Sequence, residues 1–126
     1  MIFVDTNVLM YAVGRSHPLK ARARAFFEQA LNEGWRLCTS AEVLQELLHA
    51  YLPVGRVTTF EDAVRLIERL DIEVWPLEAG DALAAASLAT QHPALGARDL
   101  CHLASCRRRG VGRIETFDRA LASAGS

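Results

Sequence analysis

The stretch Ile2-Phe3-Val4-Asp5-Thr6-Asn7 decides how the chain folds, because a short apolar run ends there in an acidic residue. Three consecutive apolar side chains without polar alternation are typical of a strand that is covered on both faces, as in a parallel sheet. A carboxylate directly after such a strand is costly to bury unless a cation or hydrogen-bond donors accompany it. The segment therefore predicts a buried strand that delivers Asp5 to a charged site.

Beyond this strand, the sequence alternates between short apolar runs and segments with apolar residues at helical spacing. Such an alternation predicts right-handed crossovers and a parallel sheet flanked by helices. We therefore expect an α/β fold in one domain, residues 1–126, with a central sheet of four strands. The predicted strands are 2–4, 35–39, 72–75 and 113–116, and the predicted helices are 8–12, one from about Pro18 to Gly34, 40–51, 60–70, 79–90 and 97–109.

The composition argues against several classes of protein. Hydrophobic residues make up 51% and the net charge is −1, so the chain lacks the basic field of a general nucleic-acid binder. Cys38, Cys101 and Cys106 are odd in number and show no C-x-x-C spacing, which argues against a disulfide framework or a zinc ribbon. No apolar run approaches the ~20 residues that span a membrane. An acid at position 5 also falls where the apolar part of a signal peptide would lie. We expect a cytoplasmic protein.

Four acids stand at positions that suit a shared metal site, and they are Asp5, Glu46, Asp99 and Asp118. Sites in parallel sheets form outside the carboxyl ends of the strands, and the first and last of these acids each follow a strand. Glu46 borders the apolar face of its helix, whereas Glu42 points nearly opposite and is expected to close a capping box with Thr39. Each acid has an alternative role as a helix cap or a dipole partner. As a set, they suggest a divalent metal site.

Other polar residues near these acids have roles that the sequence leaves open. Asp5 and Asn7 both suit the N-cap of the first helical turn, whereas a cap at Thr6 or Asn7 would leave Asp5 free. Arg98, beside the third acid, suits either a phosphate contact or an ion pair. His102 is expected on a helix surface, because no histidine has metal-ligand spacing. The run 107–109 of three arginines falls near a helix C-terminus, where the dipole favours positive charge.

The order and surroundings of the four acids resemble the PIN-domain ribonucleases, most closely the VapC-type toxins of toxin–antitoxin pairs. The resemblance covers nearly the whole chain and implies an α/β sandwich with a parallel sheet. The matching motifs are Phe3-Val4-Asp5-Thr6-Asn7-Val8-Leu9, Thr39-Ser40-Ala41-Glu42-Val43-Leu44-Gln45-Glu46-Leu47, Ala97-Arg98-Asp99-Leu100-Cys101-His102-Leu103-Ala104 and Thr116-Phe117-Asp118.

What the resemblance implies is an endoribonuclease that depends on Mg²⁺, with Mn²⁺ also accepted. The implied partners are an RNA substrate, a cognate antitoxin and a second copy of the chain. By position, the three central acids of the family correspond to Asp5, Glu46 and Asp99, and the fourth corresponds to Asp118. We expect Asp5 and Asp99 to ligate the metal and Glu46 to orient or deprotonate the water. The supporting residues are Asn7, Thr116 and, for the scissile phosphate, Arg98.

Members of the family commonly have a strand after the last acid, but only eight residues follow Asp118 here. Residues 119–126 are rich in Ala, Ser and Gly, so we expect four strands, or five if this tail adds one. The alternative function is a catalytically inactive PIN-fold module that binds RNA or protein. Four clustered acids argue against an RNA-binding surface of that kind, because RNA is itself negatively charged.

Overall fold

The computed structural model describes residues 1–125, and their core is a four-stranded sheet in which every neighbouring pair of strands is parallel. The strand order is β3-β2-β1-β4. This arrangement confirms the predicted α/β fold and its four strands. The strands are β1 (Ile2–Val4), β2 (Leu37–Ser40), β3 (Glu73–Trp75) and β4 (Arg113–Glu115).

Seven α-helices of residues 1–125 flank the sheet, with a short 3-10 helix at Leu52–Val54. Gly34 ends the second helix in the left-handed conformation, as the sequence predicts, with φ of 69°. That helix begins two residues later than Pro18, because residues 18–19 form a turn. The helices are α1 (Thr6–Val13), α2 (Lys20–Glu33), α3 (Ala41–Tyr51), α4 (Val57–Arg69), α5 (Ala79–Leu88), α6 (Ala97–Arg108) and α7 (Arg119–Gly125).

The last helix, α7, occupies the residues that were considered for a fifth strand. Residues 119–125 are helical, so the described part of the chain adds no strand after β4, and Ser126 lies outside the described residues. Asp118 is the residue before this helix, and its Oδ1 accepts a hydrogen bond from the backbone N–H of Leu121 at 3.1 Å. The fourth acid therefore caps α7.

Strand β1 lies in the middle of the sheet, which explains its uniformly apolar sequence. Phe3 and Val4 are both 0% exposed. Chain order places β2 on one side of β1 and β4 on the other, so the carboxyl end of β1 lies at a topological switch point, where parallel sheets form their sites. At this end, the backbone N–H of Asp5 donates to the carbonyl of Glu115 at 3.0 Å.

The predicted capping box at the start of α3 is wrong. Ser40 caps this helix, because its hydroxyl accepts from the backbone N–H of Val43 at 3.2 Å. Thr39 still belongs to β2, and its hydroxyl donates to the carbonyl of Val4 at 2.9 Å. Glu42 is therefore free of the cap, and its Oε2 is buried with no hydrogen-bond partner among residues 1–125. Burial raises the pKa of the Glu42 carboxyl.

An ion-pair network joins α5 to the end of α6. Asp81, which is 0% exposed, accepts from Arg108 Nη1 at 2.6 Å and from Arg109 Nη1 at 3.3 Å. The other oxygen of Asp81 accepts from the backbone N–H of Glu78 at 2.9 Å. The Arg109 guanidinium also lies 4.7 Å from the ring centroid of Trp75. The arginine run thus has specific partners beyond the helix dipole.

Two further expectations concern the thiols and the membrane. Cys38, Cys101 and Cys106 are free, and burial raises the pKa of both Cys38 and Cys106 to about 12. These two thiols are therefore packed as small apolar groups. Within residues 1–125, no helix combines the length and the apolar character needed to cross a membrane.

Candidate functional site

The four predicted acids meet around one cavity of about 510 Å³ at the carboxyl ends of β1 and β4. They differ in depth: Asp5 is 5% exposed, Glu46 and Asp99 are half-buried, and Asp118 is exposed at the rim. Arg98 lines the same cavity with its side chain exposed to solvent. A larger cavity, about 970 Å³, lies among α1, α2 and α4 and is lined by none of the predicted site residues.

Asp5 is held by three hydrogen-bond donors. Its Oδ1 accepts from the backbone N–H of Thr6 at 2.8 Å, so Asp5 itself caps α1. Of the caps that the sequence leaves open, Asp5 rather than Thr6 or Asn7 is the one found. Its Oδ2 accepts from the Thr116 hydroxyl at 2.7 Å and from Asn7 Nδ2 at 3.4 Å. Burial raises the pKa of the Asp5 carboxyl, and the hydrogen bond from Thr116 opposes that rise.

Asn7 and Thr116 connect the start of α1 to the loop after β4. Asn7 Nδ2 donates to the Thr116 hydroxyl oxygen at 3.2 Å, and Asn7 Oδ1 accepts from the backbone N–H of Phe117 at 3.1 Å. The Thr116 oxygen also accepts from the backbone N–H of Asp118 at 3.0 Å. Both predicted supporting residues therefore fix the first and fourth acids relative to each other.

Glu46 reaches the cavity from α3 with both carboxylate oxygens engaged. Its Oε2 accepts from the Thr6 hydroxyl at 2.6 Å, and its Oε1 lies 3.3 Å from His102 Nε2. Because a carboxylate can only accept, the imidazole donates through Nε2. Burial favours the neutral acid, but the hydrogen bonds from His102 and Thr6 outweigh it and lower the pKa of Glu46. The side chain is thus an ionised group in a fixed orientation.

His102 is the site residue that the sequence interpretation missed, since it was expected on a helix surface. It is 1% exposed, its Nε2 lies 3.9 Å from Asp5 Oδ1, and its ring packs against Phe3 at 5.2 Å between centroids. Its Nδ1 is buried and without a hydrogen-bond partner in residues 1–125. The signal was its position three residues after Asp99, which puts both on one face of α6. Thr6 was missed as well, and its position between two candidate residues was the available signal.

Asp99 lies in the first turn of α6 and lines the same cavity as the other acids. Burial raises the pKa of its carboxyl, and the negative charges of Asp5 and Asp118 raise it further. Like charges held this close favour either a retained proton or a bound cation. The arrangement therefore stores electrostatic repulsion that a divalent metal would relieve.

The donor set suits a hard or intermediate divalent ion. One possible ligand atom each from Asp5, Glu46 and His102 lies within 4.8 Å of the other two. Because His102 Nε2 carries the proton that it donates to Glu46, the two carboxylates are the ligands of this group. Carboxylate oxygens are the preferred protein ligands of Mg²⁺, and Mn²⁺ also accepts carboxylate oxygen. The residues present therefore fit Mg²⁺ or Mn²⁺.

Comparison with known protein families gives a match over almost the whole chain. The model of the PIN domain matches residues 2–126. Ribonuclease VapC23 of Mycobacterium tuberculosis is 60% identical over 124 residues, which cover 98% of this chain and 98% of the relative. Ribonuclease VapC13 of the same species is 40% identical over 123 residues, which cover 98% of this chain and 94% of the relative.

A solved structure supports the same fold. The crystal structure of Mycobacterium tuberculosis VapC20, described as a toxin that cleaves the sarcin-ricin loop, matches this chain with a TM-score of 0.81. The match covers 99% of this chain and 95% of the VapC20 chain at 19% sequence identity. At that identity, the likeness concerns the fold alone.

Proposed function

This chain belongs to the PIN-domain family, among its VapC-type ribonucleases, and from that premise we propose that it is a metal-dependent endoribonuclease. It hydrolyses phosphodiester bonds of RNA with Mg²⁺ or Mn²⁺. The observation that carries this proposal is the convergence of Asp5, Glu46, Asp99 and Asp118 on one cavity. A hydrolytic metal site needs several carboxylates at one place, and this cavity supplies them.

Each residue of the cavity has a proposed role in hydrolysis. Asp5 and Asp99 would hold the ion directly, since one oxygen of Asp5 has a single protein donor, Thr6, and keeps a lone pair free. The bound metal supplies a water of lowered pKa and offsets negative charge on the phosphate. Glu46, fixed through both of its oxygens, orients the attacking water and accepts its proton. Arg98, exposed at the cavity, contacts the scissile phosphate.

The names of the relatives also support a toxin–antitoxin setting. The proposal includes a cognate antitoxin that holds the enzyme inactive, a homodimer as the assembled form, and action in the cytoplasm, where RNA substrates lie. The alternative of an inactive binding module is less favoured, because the carboxylates of Asp5 and Asp99, whose pKa burial raises, are costly to keep ionised at a site without a cation.

Metal binding is expected to raise the melting temperature of the wild-type protein. Mn²⁺ at about 100 times its Kd should add about 2.7 kcal/mol to the free energy of unfolding. For a chain of this size, that corresponds to a rise of roughly 10 °C. Asp99→Asn should lose most of the rise because it removes a proposed ligand, and a thermal melt with and without Mn²⁺ measures it.

Asp62→Asn is the matched control for this titration. Asp62 is an exposed acid on α4 that pairs with Arg65, away from the cavity. It should keep the full response to Mn²⁺. An equal shift in wild type and Asp99→Asn would contradict the proposed role of Asp99 as a ligand.

Removing the hydrogen bond from His102 to Glu46 is expected to slow cleavage rather than weaken substrate binding. Replacing a residue that orients a metal-site group typically costs 10–100-fold, so we expect His102→Leu to lower kcat by about that factor. KM should remain unchanged. His102→Gln should restore most of kcat, because its amide nitrogen reaches about as far as Nε2. Steady-state kinetics on one RNA substrate test this, and equal rates for the Leu and Gln variants would exclude the positioning role.

A further inference from the structure

Positive charge is concentrated in the segment that follows the first acid. Residues 6–27 contain Arg15, Lys20, Arg22 and Arg24 and no acidic residue, although the whole chain carries a net charge of −1. Arg15, Arg22 and Arg24 are exposed. An RNA strand that approaches four carboxylates meets repulsion, so a basic segment beside them is where its backbone is attracted.

Two aromatic side chains of this segment, Tyr11 and His17, pack with Phe117 from the loop after β4, and we call the three the aromatic platform. The Tyr11 and His17 rings are stacked, with centroids 4.4 Å apart and planes at 30°. Phe117 meets Tyr11 edge-on at 5.6 Å, and the Arg22 guanidinium lies 5.4 Å from the Phe117 centroid. The His17 side chain is exposed. The stack therefore ends in solvent rather than in the core.

The orientation of the His17 ring is fixed without any ligand. The backbone N–H of Leu19 donates to His17 Nδ1 at 3.1 Å, which leaves the proton of the neutral ring on Nε2. Lys20 Nζ donates to the carbonyl of Gly14 at 2.6 Å and closes the same loop. A surface that is ordered in advance loses less entropy when a ligand binds to it.

The aromatic platform is next to the acid cavity. Phe117 stands between Thr116 and Asp118, and its backbone N–H is bonded to the Asn7 side chain. Tyr11 is four residues after Asn7 on α1, so it lies on the same face of the helix, about 6 Å further along the axis. The aromatic platform therefore begins about one helical turn from Asn7, whose side chain contacts Asp5.

We propose that the aromatic platform, with Arg22 beside it, is a subsite that stacks an unpaired RNA base close to the phosphate that is cut. Proteins recognise single-stranded RNA by stacking splayed bases on aromatic rings, histidine included, and on arginine guanidinium groups. Tyr11, His17 and Phe117 offer the rings, and Arg22 offers the charge for a neighbouring phosphate. This subsite rests on the proposed ribonuclease function and makes single-stranded RNA its substrate class.

The test is a binding titration with a short single-stranded RNA that carries 2-aminopurine at successive positions. The full chain carries Asp99→Asn so that it binds the probe without cutting it. Stacking should quench the fluorescence at one or two positions of the probe. His17→Ala should remove this quenching and weaken binding roughly tenfold, with an unchanged salt dependence. Arg22→Gln should instead reduce the slope of log K against log salt by about 0.7, the value for one phosphate contact on a single strand.

Two matched variants control for loss of an exposed histidine or arginine elsewhere. His49→Ala changes an exposed residue of α3, and Arg36→Gln changes an exposed residue just before β2, at the amino ends of the strands and so at the end of the sheet away from the cavity. Both should leave the quenching and the salt slope as they are. If His17→Ala behaves like His49→Ala while the protein binds RNA, the base-stacking subsite is excluded. If the protein neither binds nor cuts RNA, the proposed function fails together with it.

Discussion

Replacing Asp5 with Asn is expected to reduce RNA cleavage by about 1,000-fold or more and to leave the protein folded. A bound metal contributes several kcal/mol to a hydrolytic transition state, and each 1.36 kcal/mol is a factor of ten in rate. Asp5 is the most buried of the four acids, and both of its oxygens are oriented by donors from Thr6 and Thr116. An amide at this position keeps the shape but removes the charge that holds the ion.

The fold should tolerate this change. Asn is as good a helix N-cap as Asp, so the hydrogen bond from the backbone N–H of Thr6 is retained. Loss of one negative charge also relieves the repulsion with Asp99 and Glu46. We expect the free energy of unfolding without metal to change by no more than about 1 kcal/mol.

Cleavage of one RNA substrate at saturating Mn²⁺, together with a thermal melt, measures both effects. Asp71→Asn is a matched control, because Asp71 is exposed and has φ of 51°, a conformation that Asn accepts as readily as Asp. It should cleave at the wild-type rate. A folded Asp5→Asn protein with wild-type activity would remove Asp5 from the site.

Replacing Asp81 with Ala is expected to produce the largest loss of stability, about 2–3 kcal/mol. Breaking a buried ion pair costs 3–5 kcal/mol because it leaves charges without partners. The expected loss of stability is smaller here because the Arg108 and Arg109 side chains are 41% and 22% exposed, so water can solvate their charges once Asp81 is removed. The substitution also removes the acceptor for the backbone N–H of Glu78 at the start of α5. The melting temperature should fall by roughly 10 °C.

The contribution of Asp81 to the free energy of unfolding should decrease as the pH falls. Although burial alone would raise the pKa of Asp81, hydrogen bonds from the Glu78 backbone and Arg108 outweigh it and lower this pKa in the folded state. Its contribution is therefore complete above the unfolded pKa of about 3.9 and is lost as the pH falls through the lower folded value. The free energies of unfolding of the wild-type protein and of Asp81→Ala, measured with urea, should therefore become equal at acid pH. Asp62→Asn, at an exposed pair, should cost less than about 1 kcal/mol at any pH.

The convergence of the four acids could be predicted because it follows from the chain direction of parallel strands. Asp5 and Asp118 come after the two strands that turn out to be neighbours, β1 and β4, so their meeting requires only the correct topology. Glu46 follows from its position beside the apolar face of its helix, whereas Asp99 joined the set through the family resemblance. This part of the site depends on element order and periodicity, which a sequence displays.

The contacts among these groups could not be predicted in the same way. His102 contacts Glu46 although the two residues are 56 positions apart in the sequence. The Thr6 hydroxyl contacts the same carboxylate from 40 positions away. The first contact joins α6 to α3 and the second joins α1 to α3, so both depend on how these helices are placed relative to one another. Arg108 finds Asp81 across 27 positions for the same kind of reason. Side-chain pairing between packed helices has no periodic signal in one sequence.

The cap of α3 was predicted one residue too early, which shows a second limit of prediction from sequence. Thr39 and Ser40 are neighbouring residues that are both good N-caps, and a shift of one residue decides whether Glu42 reaches back to the backbone. The length of β2 makes that choice, since Thr39 is held in the sheet by its bond to Val4. Glu42 is instead half-buried, and the charges of His102 on α6 and Glu46 on the same helix affect its pKa.

The most direct measurement of the central claim is sequencing of new RNA ends after the purified protein acts on total cellular RNA with Mn²⁺. An EDTA sample and an Asp5→Asn sample run beside it. We predict new ends at defined positions only in the wild-type sample that contains metal. Identical end profiles in all three samples, with folded protein in each, would contradict a metal-dependent ribonuclease site at Asp5, Glu46, Asp99 and Asp118.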